Sequence, residues 1–434
     1  MMARERQTSS SDDDDDDDAM KKQLMELPVD ILVDILSRLP VKSVGCIKCV
    51  SKTLLNMVSN ISFSTLHTRS LIATNSAAAA DQVPRLMCCS RDDRLVTLQS
   101  LKYKDDTLTK GKDDSLTKGR YAVTISSSTT PFFLRFVFCN VFCLGTGNGD
   151  CMLVNGLGER GVLRLPKSSF ARLESGPITY RKSGFGMGFD DKTNTFKIVC
   201  FTHERDAHNL HKSMTAHVLV LGTNSWRQVS SPPPNELSWI NKEPVCVNGA
   251  VHWWTGLLSD NRRIVSFDLR REKFCWTPTP HRYLYSHISL FSLRGRLAIV
   301  ERSSSRMEIW VLKSFNEKQW VRYYYDNKLP DNLPFLSSPG EWEHGIFFTS
   351  NDFCRTLVFF IDLRFGSINR VKYSSYKVMH HEYTKTGGCS YTETFLLGMY
   401  SYSETLISLK DYGDLEEASS SSDYLIEDYM VSKD

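Results

Sequence analysis

Three histidines lie close together in the middle of the chain, at a spacing that could hold a metal ion. His203, His208 and His211 occur within HERDAHNLHKS, and His208-x-x-His211 would bring two imidazoles to one side of a helix. A zinc site needs further protein ligands, and no nearby carboxylate-bearing strand marks a third position. The segment is polar throughout, so the sequence favours a solvated loop over a metal site.

A second candidate for chemistry is the pair Cys46-x-x-Cys49, which could be half of a zinc site or a redox motif. No second C-x-x-C follows at zinc-finger distance, and thiols of cytosolic proteins normally stay reduced. The other cysteines are scattered in apolar, strand-like contexts, where cysteine packs as a small hydrophobic residue. We therefore predict no metal site and no cofactor.

Catalytic motifs are also missing from the sequence. There is no G-x-S-x-G or H-E-x-x-H motif, and no Ser/His/Asp set can be chosen from spacing. Gly186 and Gly188 belong to a glycine-rich stretch that precedes Asp-Asp and a strand rather than a helix, which argues against a nucleotide cradle. His252, beside two tryptophans, is predicted to pack at a strand end. The sequence therefore predicts a protein that is not an enzyme.

Composition and charge restrict the possible partners. The chain has 434 residues, 41% hydrophobic and 24% charged, which is ordinary for a globular protein with more than one domain. The net charge is +3, without a basic stripe, so no nucleic-acid partner is expected. No signal peptide is recognisable, and the most apolar run, 132–144, is shorter than the roughly 20 residues that a bilayer requires. We expect no membrane partner and a location in the nucleus and/or cytoplasm.

The element that must carry any binding function is an amphipathic helical stretch between Glu26 and His67. Pro28 fits the first turn of a helix, and Pro40 ends it. Such a stretch is too short to bury a self-sufficient core, so it is built to dock on another surface. An ordinary amphipathic hairpin is the alternative interpretation. The apolar positions at helical spacing are Leu27, Ile31, Leu32, Ile35, Leu36, Leu39 and then Val44, Ile47, Val50, Leu54, Val58.

This stretch resembles the F-box, through its two Leu-Pro pairs, Ile31, Ile35-Leu36 and the trailing Cys49-Val50-Ser51-Lys52. The resemblance implies a three-helix unit that binds a Skp-type adaptor and, through it, a cullin scaffold of a ubiquitin ligase. The family usually has Trp where Leu54 stands, which implies reduced adaptor affinity. The residues predicted to bind the adaptor are Leu27, Pro28, Ile31, Ile35, Leu36, Leu39, Pro40, Val44, Cys49, Val50, Lys52 and Leu54.

Beyond about residue 121 the sequence predicts β structure. A unit of two strands joined by a polar turn recurs, and its central residues are separated by 66, 47, 44 and 50 positions. A period of 40 to 50 residues is typical of the blades of kelch-type or WD-type propellers. We assign the longer first step to a loop from Phe201 to Ser213. The central residues are Val154, Val220, Phe267, Val311 and Ile361.

The β region resembles the F-box-associated domain of plant F-box proteins. The resemblance is carried by 184–199, 245–254, 264–278 and 308–311, and it implies a kelch-like platform that recruits substrates. Asn248-Gly249 is predicted to form a type I′ turn between two strands. An eight-residue duplication, KDDTLTKG followed by KDDSLTKG at 104–119, is predicted to be a polar loop insertion.

The predicted fold class is α+β multidomain: a small three-helix F-box followed by a large all-β, propeller-like (kelch-type) domain, with disordered acidic termini. Residues 1–22 form a disordered acidic tail that contains the run Asp12 to Asp18, and 23–68 form the F-box. The β domain spans 69–410, and 411–434 form a second acidic, flexible tail.

The function predicted is an adaptor that joins a client protein to a ubiquitin ligase. Propellers bind through loops on one face, so loop aromatic residues are the first guess for client contacts. The alternative is a stand-alone propeller that binds a glycan or small molecule and carries a vestigial F-box. The guessed client-binding residues are Trp239, His281, Tyr283 and Trp342.

Overall fold

The structure is a computed structural model. It describes residues 27–72, 84–92, 95–104, 115–126, 132–146, 150–157, 159, 161–167, 182–205, 212–234, 244–255, 263–280, 287–303, 306–315, 317–327, 339–352, 355–373, 382–383, 389–390, 394–416 and 426–428. The acidic run 12–18 lies outside the described residues. No helix in these ranges is long and apolar enough to cross a membrane.

The amino-terminal module consists of four helices. They are α1 (Val29–Ser37), α2 (Val41–Ile47), α3 (Lys52–Val58) and α4 (Ile61–Ile72). Pro28 directly precedes α1, one position before the first turn in which it was predicted, and Pro40 follows the end of α1 as predicted and directly precedes α2. The Ser51 hydroxyl accepts a hydrogen bond from the Leu54 amide at 3.2 Å and starts α3. The Asn60 side chain accepts one from the Ser62 amide at 2.8 Å, so α4 starts separately and the predicted three-helix unit contains a fourth helix.

The remainder of the described chain forms a six-bladed β-propeller, which confirms the predicted fold class. Blade 6 begins with β1 (Arg85–Asp92), β2 (Leu95–Lys104) and β3 (Ser115–Ser126). Blade 1 contains β4 (Phe132–Phe138), β5 (Val141–Thr146), β6 (Cys151–Asn155) and β7 (Val162–Arg164); blade 2 contains β8 (Lys182–Asp190), β9 (Thr195–Arg205), β10 (Lys212–Val220) and β11 (Arg227–Gln228). Blade 3 contains β12 (Val245–Val247), β13 (Ala250–Thr255), β14 (Arg263–Asp268) and β15 (Lys273–Thr277).

Blade 4 contains β16 (His287–Leu293), β17 (Arg296–Arg302), β18 (Met307–Ser314) and β19 (Gln319–Asp326). Blade 5 contains β20 (Gly340–Trp342), β21 (Gly345–Asp352), β22 (Arg355–Asp362) and β23 (Ile368–Tyr373), and a small hairpin follows as β24 (Glu382–Tyr383) and β25 (Cys389–Ser390). The chain then returns to blade 6 with β26 (Thr394–Tyr402) and β27 (Ile426–Asp428).

The two ends of the β domain close the ring together. Strand β26 pairs antiparallel with β1, so a late strand becomes the innermost strand of the sheet that the first three strands build. The innermost strands contact one another in the order β4, β8, β12, β16, β20, β26 and back to β4. Full closure leaves no sheet edge inside the ring.

The repeated unit predicted from the sequence corresponds to the third strand of successive blades. Its five central residues lie in β6, β10, β14, β18 and β22. The predicted loop from Phe201 to Ser213 is wrong, because all of it except 206–211 belongs to β9 and β10. Much of the longer first step lies in the strands themselves, since β8 and β9 have 9 and 11 residues while β12 and β13 have 3 and 6.

The tandem duplication joins β2 to β3, but its second copy is not all loop. Residues from Ser115 onward pair with β2, and Leu116 packs against the core between blades 5 and 6. At Gly119 an added Cβ would lie 2.5 Å from Oγ of Ser100, next to the bulge in this pair. The prediction of a polar loop is therefore wrong for 115–119. In this strand Leu116 supplies an apolar side chain to the core, and Gly119 fits the close approach to Ser100.

Two glycine motifs have purely structural roles. Asn248 and Gly249 have φ angles of 54° and 67°, which confirms the type I′ turn between β12 and β13. The glycine-rich stretch lies on β8, where a Cβ added to Gly186 would be 2.3 Å from Cγ1 of Val251 on blade 3. The alternate glycines of β8 thus allow blade 3 to approach blade 2 closely.

Replacing Gly186 by alanine is expected to lower the free energy of unfolding by about 1–3 kcal/mol, because the new methyl group overpacks the interface between blades 2 and 3. Gly45 is a matched control, since a Cβ there would meet nothing within 4 Å. Gly45→Ala lies within α2 and should stabilise by about 0.5–1 kcal/mol. Calorimetry of the full chain measures both changes. A Gly186→Ala protein as stable as the wild type would contradict the close approach.

Candidate functional site

The helical module has a small core of its own. Leu36, Val44 and Leu54 are buried within it. These three predicted adaptor contacts therefore lie in the interior, and their role is to hold the helices that carry the exposed residues. The core side chains are Leu32, Leu36, Val44, Leu54, Val58 and Phe63, with Leu39 and Ile47 partly buried against them.

The module also carries large apolar side chains that are exposed. Ile31, Ile35 and Val50 are 50%, 42% and 59% exposed. Val29, Leu55 and Ile61 are exposed too, so six of the twelve large apolar side chains that are exposed in the described part of the chain belong to this module. Of the other predicted contacts, Pro28, Cys49 and Lys52 are exposed, while Leu27, Leu39 and Pro40 are half-buried. We call the exposed set Ile31, Ile35, Val50 and Leu55 the outer face.

The segment 403–416, which follows β26 and which we call the strap, lies against the inner side of the module. Leu406 of the strap packs against the core of the module. The Tyr412 phenol forms a side-chain hydrogen bond with Thr65 on α4, although burial outweighs this bond and raises the pKa of the phenol. Ile72, at the end of α4, packs against the core between blades 1 and 2. The module is therefore attached to the propeller through its inner side, and the outer face stays exposed.

The strap is held on blade 1 by buried amides. The Asn155 side chain donates to the carbonyl of Ile407 at 3.1 Å, and its oxygen accepts from the Asn140 amide at 2.9 Å. The Thr405 hydroxyl donates to the oxygen of Asn140. Because buried polar groups without partners are costly, these bonds fix the path of the strap.

Carboxylates extend this attachment. Glu159 accepts hydrogen bonds from the Ser408 hydroxyl at 2.6 Å and from the Leu409 amide at 2.8 Å. Arg164 donates two bonds of 2.7 Å to Glu416. Residues 411–416, which the sequence placed in a flexible tail, are thus packed on blade 1. The short 3₁₀ helix Leu409–Tyr412 spans the predicted boundary between the β domain and the tail, and its Leu409 is buried.

A buried histidine that sequence reasoning missed joins α4 to the corner between α1 and α2. Nε2 of His67 lies 2.8 Å from the carbonyl oxygen of Leu39, and burial lowers the pKa of the imidazole. The neutral ring therefore donates to a carbonyl in the connection between α1 and α2 and holds α4 against that corner.

One of the guessed client contacts, Trp342, is described by the structure, and it does not lie at the surface. Trp342 is buried, its Nε1 donates to the Ile346 carbonyl at 3.1 Å, and its ring packs edge-on to Tyr103 and Phe360. Its prediction as a client contact is wrong because Trp342 ends an inner strand, where the side chain fills the space between blades 5 and 6. Trp239, His281 and Tyr283 lie outside the described residues.

The remaining candidates for chemistry are described only in part. Within the described ranges there is no group of three or more His, Cys, Asp or Glu side chains that could hold a metal ion. Cys46 and Cys49 are both exposed, and His208 and His211 lie outside those ranges. His252 is fully buried, with Nδ1 2.7 Å from the Ser266 hydroxyl, and burial lowers its pKa to about 4.

His252 is expected to make the protein less stable in acid. Below the unfolded pKa of about 6.5 the unfolded chain takes up a proton at this site, whereas the folded chain does so only near pH 4. Between these pH values the free energy of unfolding should fall by about 3 kcal/mol on account of this residue. Urea titrations at pH 7 and pH 4.5, compared with His252→Gln, isolate this contribution. An equal acid sensitivity in the variant would contradict it.

Comparison with known proteins follows the same division of the chain. Residues 24–66 match the F-box domain family, and residues 85–396 match the F-box associated beta propeller domain family. The chain is 26% identical over 338 residues to F-box protein At5g65850 of Arabidopsis thaliana, covering 74% of each protein. It is 28% identical over 333 residues to F-box protein At1g30790 of the same plant, covering 70% of this chain and 76% of the relative.

Among solved structures, TolB from Acinetobacter baumannii is similar with a TM-score of 0.37 and 10% sequence identity, over 73% of this chain and 66% of that one. A similarity at this level says nothing about function.

Proposed function

The chain belongs to the plant F-box proteins that carry an F-box-associated beta propeller domain, and from this premise we propose that it is the substrate-recognition subunit of a Skp–cullin–F-box ubiquitin ligase. Its helical module binds a Skp-type adaptor and, through it, a cullin scaffold. Its propeller holds a client protein. The subunit is non-catalytic, because the ubiquitin-conjugating enzyme recruited by the scaffold carries out the chemistry. The proposal implies a location in the nucleus and/or cytoplasm.

The observation that carries this proposal is the outer face of the helical module. Soluble proteins rarely leave several neighbouring large apolar side chains exposed unless a partner covers them. Ile31 and Ile35 are one helical turn apart on α1, and Val50 follows α2. Covering the exposed parts of the module's six apolar side chains would contribute on the order of 5 kcal/mol before the costs of association.

The substitution at position 54 acts through the module's own core. Leu54 is 2% exposed, so the side chain that stands in place of the family's usual Trp does not reach the outer face. A smaller residue there changes how α3 packs against α1 and α4. Reduced adaptor affinity remains the prediction, and its cause would be a less rigid outer face rather than a lost contact.

The strap connects the part of the chain that is proposed to bind the adaptor with the part that is proposed to hold the client. A ligase of this type works by proximity, since a client held near the conjugating enzyme presents its lysines at high effective concentration. That benefit requires the client-holding part to be joined firmly to the adaptor-holding part. The strap packs Leu406 against the core of the module and binds Glu159 of blade 1 through Ser408, and these two contacts support such a connection.

Reconstitution tests the proposal. The purified full chain is mixed with a purified plant Skp-type adaptor and passed over a size-exclusion column with light scattering. We expect a one-to-one complex. Affinity capture from plant cells with the proteasome blocked should then recover the adaptor, the cullin and ubiquitinated clients together. A folded chain that binds no adaptor at micromolar concentration but binds immobilised glycans would overturn the proposal in favour of a stand-alone binding propeller.

A further inference from the structure

The outer edge of blade 4 is built unlike the outer edges of the other blades. Its last strand, β19, has 8 residues, whereas β7, β11, β15 and β23 have 3, 2, 5 and 6. In blade 6 the outer side of β3 is paired with β27. A long outer strand offers a row of backbone N–H and C=O groups that another extended chain can pair with.

The side chains of β19 do not protect this edge. Val321, Tyr323 and Tyr325 are 50%, 44% and 48% exposed. Proteins usually guard exposed edges with proline or lysine, and neither occurs within β19. In the pairing of β18 with β19, Trp310 lies opposite Arg322 and Ile309 lies opposite Tyr324. Tyr323 is therefore the extra residue of a β-bulge, and its side chain is exposed.

Arginines lie over these aromatic rings. The guanidinium of Arg322 is 5.3 Å from the ring centre of Tyr325, and that of Arg294 is 5.8 Å from the ring centre of Tyr323. The neighbouring turn of blade 5 adds Phe365, which is 79% exposed, with Arg364 over it at 5.1 Å. Tyrosine and arginine are the residues most enriched among those that dominate protein–protein binding.

The turn of blade 5 is close to β19. A Cβ added to Gly366 would lie 3.2 Å from the Tyr324 hydroxyl. The exposed ring of Phe365, one residue earlier, therefore extends the apolar surface of β19. We call Arg294, Val321, Arg322, Tyr323, Tyr325 and Phe365 the blade 4 edge.

The two arginines of the blade 4 edge form no ion pair within the described part of the chain, although the charge of Arg294 attracts Glu341, whose carboxylate accepts hydrogen bonds from the Arg294 amide at 3.0 and 2.9 Å. Asp362 is already bound by Arg364 at 2.6 Å, and Glu308 has Arg306 at 3.6 Å. Within the described ranges, Arg294 and Arg322 have aromatic rings but no carboxylate in ion-pair contact with their guanidinium groups. Arg294 and Arg322 thus lie beside an apolar strand edge whose backbone N–H and C=O groups another strand can pair with.

We propose that the blade 4 edge is the client-docking surface and that its occupant is an extended acidic segment of the client protein, which adds to blade 4 as a fifth strand. This proposal rests on the proposed function and deepens it. The client backbone pairs with β19, its carboxylates meet Arg294 and Arg322, and its apolar side chains pack on Tyr323, Tyr325 and Phe365. Strand addition of this kind draws affinity from the main chain and specificity from alternate side chains.

A displayed library of random 12-residue peptides, panned on the full chain, provides the test. We expect the selected peptides to alternate Asp or Glu with Val, Ile, Phe or Tyr. A selected peptide should bind at least tenfold more weakly to the Arg294→Glu/Arg322→Glu protein and should weaken as salt is raised. Methylating alternate backbone nitrogens of that peptide should abolish binding, because strand addition needs those N–H groups.

Phe133 on blade 1 provides the matched control. Its phenyl group is 42% exposed, and the guanidinium of Arg91 lies 5.4 Å from the centre of that phenyl group. Phe133→Glu should leave peptide binding unchanged. If the double variant does not fold, Tyr323→Ser should still weaken binding. Selected peptides without acidic residues, or peptides insensitive to both variants, would overturn the proposal.

Two other occupants are decided by the same assay. Competition by the peptide SSSDDDDDDD, which copies the acidic run of this chain, would point to an internal ligand and overturn the client proposal. Binding of a single-stranded oligonucleotide that is lost with Arg294→Glu/Arg322→Glu would point to nucleic acid and overturn it as well. Adaptor binding is measured on the same proteins, so failure of the adaptor to bind the wild type is recognised separately from failure of the peptides.

Discussion

Replacing Ile31 and Ile35 together by aspartate is expected to weaken binding of a Skp-type adaptor at least 100-fold, about 2.7 kcal/mol. Both side chains lie on the exposed side of α1, so the new carboxylates remain solvated in the free protein and the fold is preserved. In the complex the same carboxylates would lose water without gaining a partner, which is costly. Isothermal titration of the purified proteins measures the loss.

The control for this pair is Phe365→Asp, which places the same charge at an apolar side chain that is 79% exposed on blade 5. Adaptor affinity should be unchanged in that variant, and the thermal melts of both variants should overlay the wild-type melt. Adaptor binding by Ile31→Asp/Ile35→Asp at wild-type strength would show that the outer face is not the adaptor site.

The helices of the module could be predicted from the sequence, but the residues that face outward could not. Proline and leucine spacing was enough to locate α1 and its end at Pro40. Leu32 and Leu36 differ from Ile31 and Ile35 by a single position along the helix, so the apolar stripe is wide enough to serve two surfaces. Which half is buried depends on how α2, α3 and α4 pack against α1, with Leu406 of the strap added to their core, and the periodicity of α1 carries no information about these contacts.

The blades show the same limit. Five third strands could be recognised because their turns and aromatic residues repeat at a regular interval. The sixth blade could not, because β26 and β1 pair across almost the whole domain and neither strand has the spacing of a repeat. The last part of the strap, 411–416, was assigned to a tail for a similar reason, since Arg164, the partner of Glu416, lies on a distant blade.

Trp342 shows how composition misleads when a site is chosen. An aromatic residue among turn residues is typical of binding loops, and this reasoning placed Trp342 at the client surface. The indole of Trp342 instead fills the space between blades 5 and 6, because a propeller needs large side chains between neighbouring blades. Two exposed tyrosines, Tyr323 and Tyr325, lie instead on an outer strand, on either side of half-buried Tyr324.

Lys197→Met is expected to lower the free energy of unfolding by about 3–5 kcal/mol, the usual cost of breaking a buried ion pair from one side. The ammonium of Lys197 is buried between blades 2 and 3, at 2.6 Å from Asp190, 2.7 Å from Glu272 and 3.0 Å from the carbonyl of Leu269. Without it, Asp190 remains a buried carboxylate with fewer partners. Urea denaturation at pH 7, followed by tryptophan fluorescence, measures the loss.

The dependence on pH distinguishes this cause from a simple packing defect. Burial by itself would raise the pKa of Asp190, but the hydrogen bonds from Lys197 and Thr193 outweigh it and hold that pKa below its usual value. A lowered carboxyl pKa stabilises the folded protein at neutral pH, and this contribution is lost as the pH falls through the folded pKa. In Lys197→Met the burial effect prevails, so Asp190 takes up a proton more readily and the difference from wild type should shrink between pH 7 and pH 4.

Lys167 provides the control for this prediction, since its ammonium is 3.8 Å from Asp150 but its side chain is 74% exposed. Lys167→Met should change the free energy of unfolding by less than about 0.5 kcal/mol, because exposed ion pairs contribute little. Equal effects of the two substitutions, or a Lys197→Met deficit that stays constant down to pH 4, would show that the buried charges do not join blades 2 and 3.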